Sequence, residues 1–198
     1  MGTAVILSVA ALVTSWASYQ ASLWDGEQAA HYTTANAKHM LAAQLATRAG
    51  QLQAVDTMAF AEWANAFASR NRPLQAFYEA RFRPEFRDVF QTWQASRPIL
   101  NPKALPSPFM DPRYRARADA QAKAAEDEAV KLFDEGQKAN SISDHYVQGS
   151  VFLASALFFG GMCQVFHTPK VRMALIAIAV IACALGMAKI FSLPALQL

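Results

Sequence analysis

Two long uncharged stretches at the ends of the chain enclose a middle segment that holds nearly all of its charge. All fifteen Asp and Glu residues lie between Asp25 and Asp144, together with fifteen of the eighteen Lys and Arg residues. Residues 1–24 carry no charged side chain, and a second uncharged stretch begins at Tyr146. About 20 consecutive apolar residues allow a helix to cross a bilayer. The pattern therefore predicts three transmembrane helices, over residues 1–24, 146–167 and 173–192.

The charged middle, residues 25–145, has the apolar spacing of α-helices. Apolar residues recur there at steps of three, four and seven positions, as in a helix with one buried face. We expect helices over about 27–70, 74–96 and 112–144. Pro84 either kinks the second of these or lies in the first turn of a split helix. Five prolines between residues 97 and 112 exclude a regular helix there, so this segment is a predicted Pro-rich loop.

The predicted fold is therefore all-α, with three transmembrane helices and an external helical stalk or hairpin domain between the first and second spans. Two long helices of this domain would leave the bilayer side by side. The third helix of the middle segment carries a stripe of small residues, which favours close packing against the first long helix. The stripe includes Ala118, Ala122, Ala125, Ala129 and Gly136.

The direction in which the chain crosses the membrane follows from its basic residues. The short segment between the second and third predicted spans, residues 168–172, contains Lys170 and Arg172 and no acidic residue. Cytoplasmic loops are enriched in Lys and Arg, so we expect this loop in the cytoplasm, residues 25–145 outside, and residues 193–198 as an external tail. No Lys or Arg precedes the first span, unlike the basic start of a signal peptide, so we expect that span to be retained.

The basic excess does not indicate nucleic-acid binding. The net charge is +3, but acidic and basic residues balance at fifteen each within the middle segment. The excess falls on Lys170, Arg172 and Lys189, beside the predicted spans. Cys163 and Cys183 lie in apolar runs and lack the spacing of metal or redox motifs. We therefore expect no nucleic-acid partner, no cofactor and no metal.

The candidate catalytic and metal-ligating groups have simpler interpretations. His31 and His39 lie eight residues apart, with Glu27 one turn before His31. Imidazole and carboxylate are zinc ligands, but a third ligand is missing and we favour surface histidines. The sequence contains no nucleophile or phosphate-binding motif. The predicted spans contain no Asp or Glu, which argues against an ion-coupled transporter. We expect no catalytic residue and no enzyme activity.

Three stretches together resemble a known group of proteins. They are Trp16-Ala17-Ser18-Tyr19-Gln20-Ala21, Arg81-Phe82-Arg83-Pro84-Glu85-Phe86-Arg87, and the terminal hairpin that begins at Val151. The chain resembles a family of uncharacterised bacterial inner-membrane proteins, a domain of unknown function with one span, a polar helical segment and then two spans. The resemblance implies a multi-pass protein of the bacterial inner membrane with residues 25–145 in the periplasm. It implies no activity.

Two sets of residues are candidates for contacts with other helices or chains. Large aromatic residues in the middle segment exceed what a two-helix stalk can bury, so we expect a partner interface. Its candidates are Phe82, Phe86, Phe90, Trp93, Arg83 and Arg87. Small residues four positions apart let helices approach closely in lipid. The candidates for this helix packing are Ser18, Ser22, Ala156, Gly160, Ala182 and Gly186.

These features predict a non-catalytic membrane protein that acts as an oligomeric scaffold or as an accessory subunit of a larger membrane complex. Its partners would be the lipid bilayer and either further copies or other subunits. A homo-oligomeric pore is the alternative, lined by Ser15, Ser18, Gln20 and Ser22. It requires a closed ring of copies, because three helices of one chain enclose no channel. A membrane-anchored enzyme is the third hypothesis.

Overall fold

The computed structural model describes residues 2–197, without the side chains of residues 2–4 and 115–118. Met1 and Leu198, at the ends of the predicted first span and tail, and the Ala118 side chain lie outside the description. The described chain is all-α and contains no strand. Its helices are α1 (Gly2–Ala68), α2 (Arg72–Glu79), α3 (Pro84–Ala95), α4 (Pro112–Met162) and α5 (Pro169–Phe191), with a short 3₁₀ helix at Pro108–Met110.

Helices α1 and α4 are longer than the sequence pattern predicted. We expected a span over residues 1–24 and a separate helix from residue 27, but α1 continues through Asp25 and Gly26 to Ala68. A single glycine weakens a helix by only about 1 kcal/mol, and this stretch contains no proline, so nothing ends the helix there. In the same way, α4 joins the predicted helix 112–144 to most of the predicted second span.

Pro84 splits the predicted helix 74–96 into α2 and α3 and begins α3, the second of the two alternatives that the sequence left open. At that position its missing N–H leaves no helical hydrogen bond unmade. Predicted boundaries near the C-terminus were wrong. Helix α4 ends at Met162, before residue 167. The break between α4 and α5 covers residues 163–168, and α5 begins at Pro169. Lys170 and Arg172 therefore lie in the first turn of α5 rather than in a loop over 168–172.

Two helices are long and apolar enough to cross a membrane: α1, in its N-terminal part, and α5, whose mean hydropathy is 2.4. Only 22% of the most apolar stretch of each is buried within the chain, so most of this apolar surface faces outward. The apolar end of α4 is more polar, because it includes His145, Gln148 and Ser150. The third span therefore stays a prediction.

The chain divides into two compact units. The first is formed by Met1–Ala35 and Lys131–Leu198, and the second by Asn36–Val130. The core of the first unit consists largely of small residues drawn from α1, α4 and α5. Its buried members are Ala10, Ala17, Ala21, Tyr146, Leu153, Ala156, Cys183 and Ile190.

Glycines mark the closest approaches between helices of the first unit. A Cβ added at Gly186 of α5 would lie 2.9 Å from Cγ of Leu153 and 3.1 Å from the carbonyl oxygen of Gly149, both in α4. A Cβ added at Gly160 would lie 2.6 Å from Cδ2 of Leu7 in α1. Contacts below 3.0 Å force neighbouring atoms to move. At Gly186 the backbone oxygen of Gly149 lies close as well, so a side chain there requires α4 and α5 to shift, whereas at Gly160 the contact is with the end of the flexible Leu7 side chain.

The second unit has an aromatic core. Rings from α1, α3 and the segments around them pack in edge-to-face and stacked pairs; Phe86 and Phe90, for example, both contact Phe82, with centroids 5.0 and 4.8 Å away. Such pairs add about 0.5–1.5 kcal/mol beyond the burial of their area. The buried members are Trp63, Phe82, Phe86, Val89, Phe90 and Tyr114, with Phe60, Tyr78, Trp93 and Phe109 partly buried against them.

Within the second unit, charged side chains connect α1 to α4. Lys38 Nζ lies 2.7 Å from Oε2 of Glu128, and His39 Nδ1 lies 2.9 Å from Oε2 of Glu126. Ala125 and Ala129 of the predicted small-residue stripe are buried. All four side chains are partly exposed, so the Lys38–Glu128 ion pair and the His39–Glu126 hydrogen bond each contribute at most about 1 kcal/mol.

Replacing Gly186 with Leu tests the glycine contact between α4 and α5. The added side chain has no room against Leu153, so we expect a destabilisation of about 1–3 kcal/mol, the usual penalty of overpacking. Gly161→Leu is the matched control in α4, because a Cβ at Gly161 meets nothing within 4 Å. Thermal unfolding of both variants in one detergent, followed by near-ultraviolet circular dichroism, makes the comparison. Equal unfolding temperatures would contradict the assignment.

Candidate functional site

A buried carboxylate lies within the second unit. Asp56 of α1 is 1% exposed. Arg83 donates two parallel hydrogen bonds to it, from Nε to Oδ1 at 2.9 Å and from Nη2 to Oδ2 at 2.6 Å. The hydroxyl of Tyr114 donates to the same Oδ2 at 2.7 Å. Both oxygens thus accept hydrogen bonds and the charge is compensated by a guanidinium, which are the conditions for tolerating a buried charge.

Each of the two partners of Asp56 lies at the start of a helix, close to a proline. Arg83 precedes Pro84 and is extended, with ψ at 148°, because a proline disfavours helical backbone in the residue before it. Tyr114 lies in the first turn of α4, which Pro112 begins. There Asp111 caps the helix by accepting the backbone N–H of Arg113 at 2.9 Å. The chain therefore presents Arg83 and Tyr114 at points where its backbone is locally restricted.

The protonation states of this cluster favour a structural role. Burial raises the pKa of Tyr114 above its ordinary value, and the hydrogen bond to Asp56 raises it further. The hydrogen bond to Asp56 also raises the pKa of Arg83. Both donors therefore keep their protons near neutral pH, so the cluster acts as a fixed hydrogen-bonded latch and not as an acid–base pair.

A recess of about 290 Å³ opens beside the latch. Among the residues whose side chains the structure describes, its charged lining residues are Arg48, Arg83 and Glu85. Arg83 is already bonded to Asp56, and its Nη1 lies 3.5 Å from Oε2 of Glu85. The remaining lining residues are Leu45, Ala49, Leu52, Tyr114 and Gln121.

A second cavity of the same unit is larger and mostly apolar. It has a volume of about 570 Å³, within the range of roughly 300–1,000 Å³ that is typical of small-molecule sites. We call it the aromatic groove. Helix α1, helix α3 and the loop after α3 form its walls, and Ile99 and Leu100 at its edge are 74% and 78% exposed. The residues that line it are Phe60, Trp63, Ala64, Phe67, Trp93, Gln94, Arg97, Pro98, Ile99, Leu100 and Pro106.

The wall of the groove has two notable local features, a hydrogen bond of Trp93 and the backbone conformation of Arg97. The indole N–H of Trp93 donates to the carbonyl oxygen of Leu105 at 2.7 Å, which fixes the ring against the loop. Arg97 has a φ of 50°, in the left-handed region where a helix commonly ends on glycine. For a residue with a Cβ this conformation costs about 1 kcal/mol or more. Arg70, after α1, has the same kind of backbone, with a φ of 54°, but does not line the groove.

The structure corrects the predicted partner interface. Phe82, Phe86 and Phe90 are each at most 2% exposed, because the 3₁₀ helix and the start of α4 add Phe109 and Tyr114 to the core and bury more aromatic surface than two helices would. Trp93 is partly buried and lines the aromatic groove.

The two predicted interface arginines are used inside the chain. Arg83 is bonded to Asp56, and Arg87 Nη2 donates to the carbonyl oxygens of Ala80 at 2.9 Å and Phe82 at 3.0 Å. Of the predicted interface residues, Trp93 is the one that lines the aromatic groove.

The predicted helix-packing residues fall into two groups. Ala156, Gly160 and Gly186 are buried between helices of the first unit, and Ala182 is partly buried against its core. Ser18 and Ser22 are exposed, so no other helix of this chain covers them. Gly149 was missed, although its carbonyl oxygen makes the close contact to Gly186; its spacing of four from Leu153 would have been the signal.

The C-terminal segment is bound by side chains of α1 and α4, a contact that the sequence pattern did not predict. Gln20 is 3% exposed; its Nε2 donates to the carbonyl oxygen of Leu196 at 3.1 Å, and its Oε1 accepts the N–H of Leu196 at 2.9 Å. Trp24 and Tyr146 donate to the carbonyl oxygen of Pro194 at 3.1 and 3.2 Å. The predicted tail is therefore attached to the first unit, and Gln20 is not available to line a pore.

His31 and His39 lie beside carboxylates and do not contact each other. His31 Nδ1 lies 3.5 Å from Oε2 of Glu135, and its Nε2 lies 3.8 Å from Oε2 of Glu27. His39 faces Glu126 instead. Among the residues that the structure describes, no group of three or more His, Cys, Asp or Glu side chains is arranged to hold a metal ion.

Asp56 was not among the predicted site residues, although the sequence contains a feature that could have identified it. It lies on the apolar face of α1, four residues after Leu52 and three before Ala59. A charged residue on such a face requires a buried partner. No local pattern identifies Arg83 and Tyr114 as that partner, because they lie 27 and 58 residues further along the chain.

The fold and these surfaces define an all-α protein with two helices long and apolar enough to cross a membrane. Comparison with family models, curated proteins and solved structures gives no match for the chain. The resemblance to the inner-membrane family remains a prediction from sequence motifs. Functional inference therefore depends on the geometry of the chain itself.

Asp56→Asn tests the latch. The substitution removes the charge that Arg83 compensates, and leaves the guanidinium, whose side chain is 27% exposed, without its ionic partner. We expect a loss of roughly 2–3 kcal/mol, below the full penalty of a broken buried pair because Arg83 retains some solvent. Asp119→Asn is the matched control, since Asp119 is exposed. Guanidinium unfolding followed by tryptophan fluorescence compares them; identical midpoints would show that the latch is dispensable.

Tyr114→Phe tests the latch through pH. In the unfolded chain a tyrosine ionises near pH ~10, whereas the raised pKa of Tyr114 keeps it neutral in the folded protein. The unfolded state therefore gives up a proton first, and the folded protein loses stability as pH rises above 10, by up to about 1.4 kcal/mol per pH unit. Denaturant unfolding at pH 8 and pH 11 should show a smaller alkaline loss in Tyr114→Phe than in the wild type. An unchanged loss would assign it to other groups.

Proposed function

We propose that the protein is a non-catalytic component of a bacterial inner membrane that assembles with further copies of itself, as an oligomeric scaffold or as an accessory subunit of a larger membrane complex. In this proposal α1, the apolar end of α4 and α5 cross the bilayer. Residues 25–145 lie on the periplasmic side. The turn before α5 lies in the cytoplasm, because Lys170 and Arg172 beside it are basic.

The outward faces of the first unit support the membrane assignment. Leu12, Phe158 and Ile181, one from each of α1, α4 and α5, are 72%, 62% and 60% exposed. Exposing apolar surface to water is unfavourable by about 25 cal/mol per Å², and several neighbouring side chains of this kind make the surface large. Lipid chains remove that penalty, so these side chains suit a bilayer.

A row of small residues on α1 carries the assembly proposal. Ala11, Ser15, Ser18 and Ser22 are all exposed, and their spacing of four, three and four positions places them on one face of the helix. Ala10, Ala17 and Ala21 lie on another face and are buried in the core of the first unit. Helix α1 thus has two faces of small residues, and its own chain covers only one.

The uncovered face suits contact with another helix. Ser15 and Ser18 donate their hydroxyls to the carbonyl oxygens of Ala11 at 3.1 Å and Thr14 at 3.0 Å, so these polar groups are satisfied within α1. A shallow surface of small side chains remains, and in lipid such surfaces let two helices pack closely. The same face of a second copy is self-complementary and gives a two-fold contact.

A homo-oligomeric pore is the second candidate, and the hydroxyls of the same face favour it. In a closed ring of copies, Ser15, Ser18 and Ser22 would line the conduction path. Gln20, which the sequence analysis included, is bonded to Leu196 and takes no part. Conductance of the assembled protein in planar bilayers separates the two, because a scaffold of the correct mass stays silent.

Enlarging the uncovered face tests the proposal. We expect the double variant Ser18→Leu, Ser22→Leu to lower the mass of the complex, because two leucines keep the neighbouring helix away. Ala184→Leu is the matched control, a small residue that is exposed on α5. The mass of the intact complex, measured after gentle extraction from native membranes, should be a multiple of 21.7 kDa for the wild type and the control.

Two outcomes would change the proposal. An unchanged mass in the double variant would show that this face of α1 is not the interface. A wild-type mass equal to one chain would remove self-assembly. Stoichiometric foreign subunits in the wild-type complex would favour the accessory-subunit form over the scaffold.

A further inference from the structure

The aromatic groove has the composition of a ligand site and not of a gap in the core. Four aromatic residues and five other apolar residues form its lining, and Gln94 and Arg97 are the polar exceptions. A small number of polar groups in a mostly apolar cavity is the usual pattern for binding an apolar molecule in one orientation. The groove lies entirely in the second unit and is separate from the proposed contact between copies.

Arg97 gives the groove its charge. Among the residues that the structure describes, it is the single ionisable residue in the lining. The recess beside the latch differs, because there Arg83 is paired with Asp56 and Glu85. A guanidinium binds a carboxylate through two parallel hydrogen bonds. The groove therefore matches a ligand that has one carboxylate and an apolar body.

The backbone at Arg97 places this charge at the edge of the groove. Arg97 follows the last turn of α3, its N–H donates to the carbonyl oxygen of Gln94 at 3.0 Å, and its left-handed φ of 50° turns the chain into Pro98. Glycine adopts this conformation more readily than arginine. The chain thus retains a strained side chain at the position where it supplies the charge of the groove.

We propose that the aromatic groove binds a single-chain amphiphile with a terminal carboxylate, namely a free fatty acid. The alkyl chain lies among Phe60, Trp63 and Trp93, and the carboxylate is bound by Arg97. The groove has one cationic side chain, which pairs with one carboxylate, and one cavity, which holds one alkyl chain. Both features favour a fatty acid over a two-chain phospholipid. The exposed Ile99 and Leu100 cover the chain where it leaves the groove.

The test uses the full-length chain in phosphatidylcholine nanodiscs, which avoid detergent in the groove. The probes are 11-bromoundecanoate and 11-bromoundecanol, which have the same chain length and differ in charge. Bromine quenches an indole only on close contact, so a bound probe quenches Trp63 and Trp93. Probe dissolved in the bilayer quenches the other tryptophans, and this quenching rises linearly with the probe concentration. The linear component is subtracted from the measured quenching curve.

Two matched pairs of variants separate the effect of the Arg97 charge on binding from the effect of its left-handed backbone. Arg97→Gln keeps the stem and the left-handed backbone but removes the charge, and Arg70→Gln makes the same change outside the groove. Arg97→Gly removes the strain together with the charge, and Arg70→Gly is its control. Because glycine relaxes the backbone, Arg97→Gly should unfold at the same temperature as the wild type or higher, so weaker binding in that variant does not come from misfolding.

We expect saturable quenching of the wild type by 11-bromoundecanoate. Binding should weaken roughly tenfold in Arg97→Gln and Arg97→Gly, the size expected for one charge-assisted contact, and should be unchanged in both Arg70 variants. Binding of 11-bromoundecanol should be the same in all of them. The proposal is overturned if the wild type shows only linear quenching, which would leave the groove to an apolar segment of a protein. It is also overturned if Arg97 and Arg70 variants bind the acid equally.

Discussion

The buried carboxylate of Asp56 is the constraint on which the second unit depends. A charge that is 1% exposed is tolerated only with a compensating charge and satisfied hydrogen bonds, so Arg83 and Tyr114 must come to it. Arg83 lies at the start of α3 and Tyr114 at the start of α4. The hydrogen bonds that Arg83 and Tyr114 donate to Asp56 therefore set where both helices begin relative to α1, and the aromatic core fills the space between them.

The aromatic groove follows from the same arrangement. Once α3 is fixed at its start, its last turn brings Trp93 and Arg97 beside Phe60 and Trp63 of α1. The Pro-rich loop then closes one side, and the Trp93–Leu105 hydrogen bond holds it there. The latch therefore has a structural role. The surface available to a ligand or partner consists of the aromatic side chains that are not fully buried in the core.

The packing of the first unit depends on the close approach of its helices and not on a buried charge. Glycine and alanine let α4 and α5 nearly touch at Gly149 and Gly186, and an amide side chain, Gln20, bonds to the backbone of the segment that follows α5. Where water is excluded, every backbone group that leaves a helix must find a partner. Gln20, near the end of the uncharged residues 1–24, meets this requirement for the N–H and the carbonyl oxygen of Leu196. The serine face of α1 is exposed.

The sequence by itself determined the all-α class, the apolar character of both ends, the helical nature of the middle and the breaks at Pro84 and in the Pro-rich loop. These properties are local: they depend on the spacing of apolar residues within a few turns and on the backbone limits of proline. The tertiary structure alone decided that Phe82, Phe86 and Phe90 are core residues, that Asp56 pairs with Arg83 and Tyr114, and that Gln20 binds the C-terminal segment. Each of these joins positions that are far apart in the chain, and periodicity shows which side of a helix is buried but not what covers it.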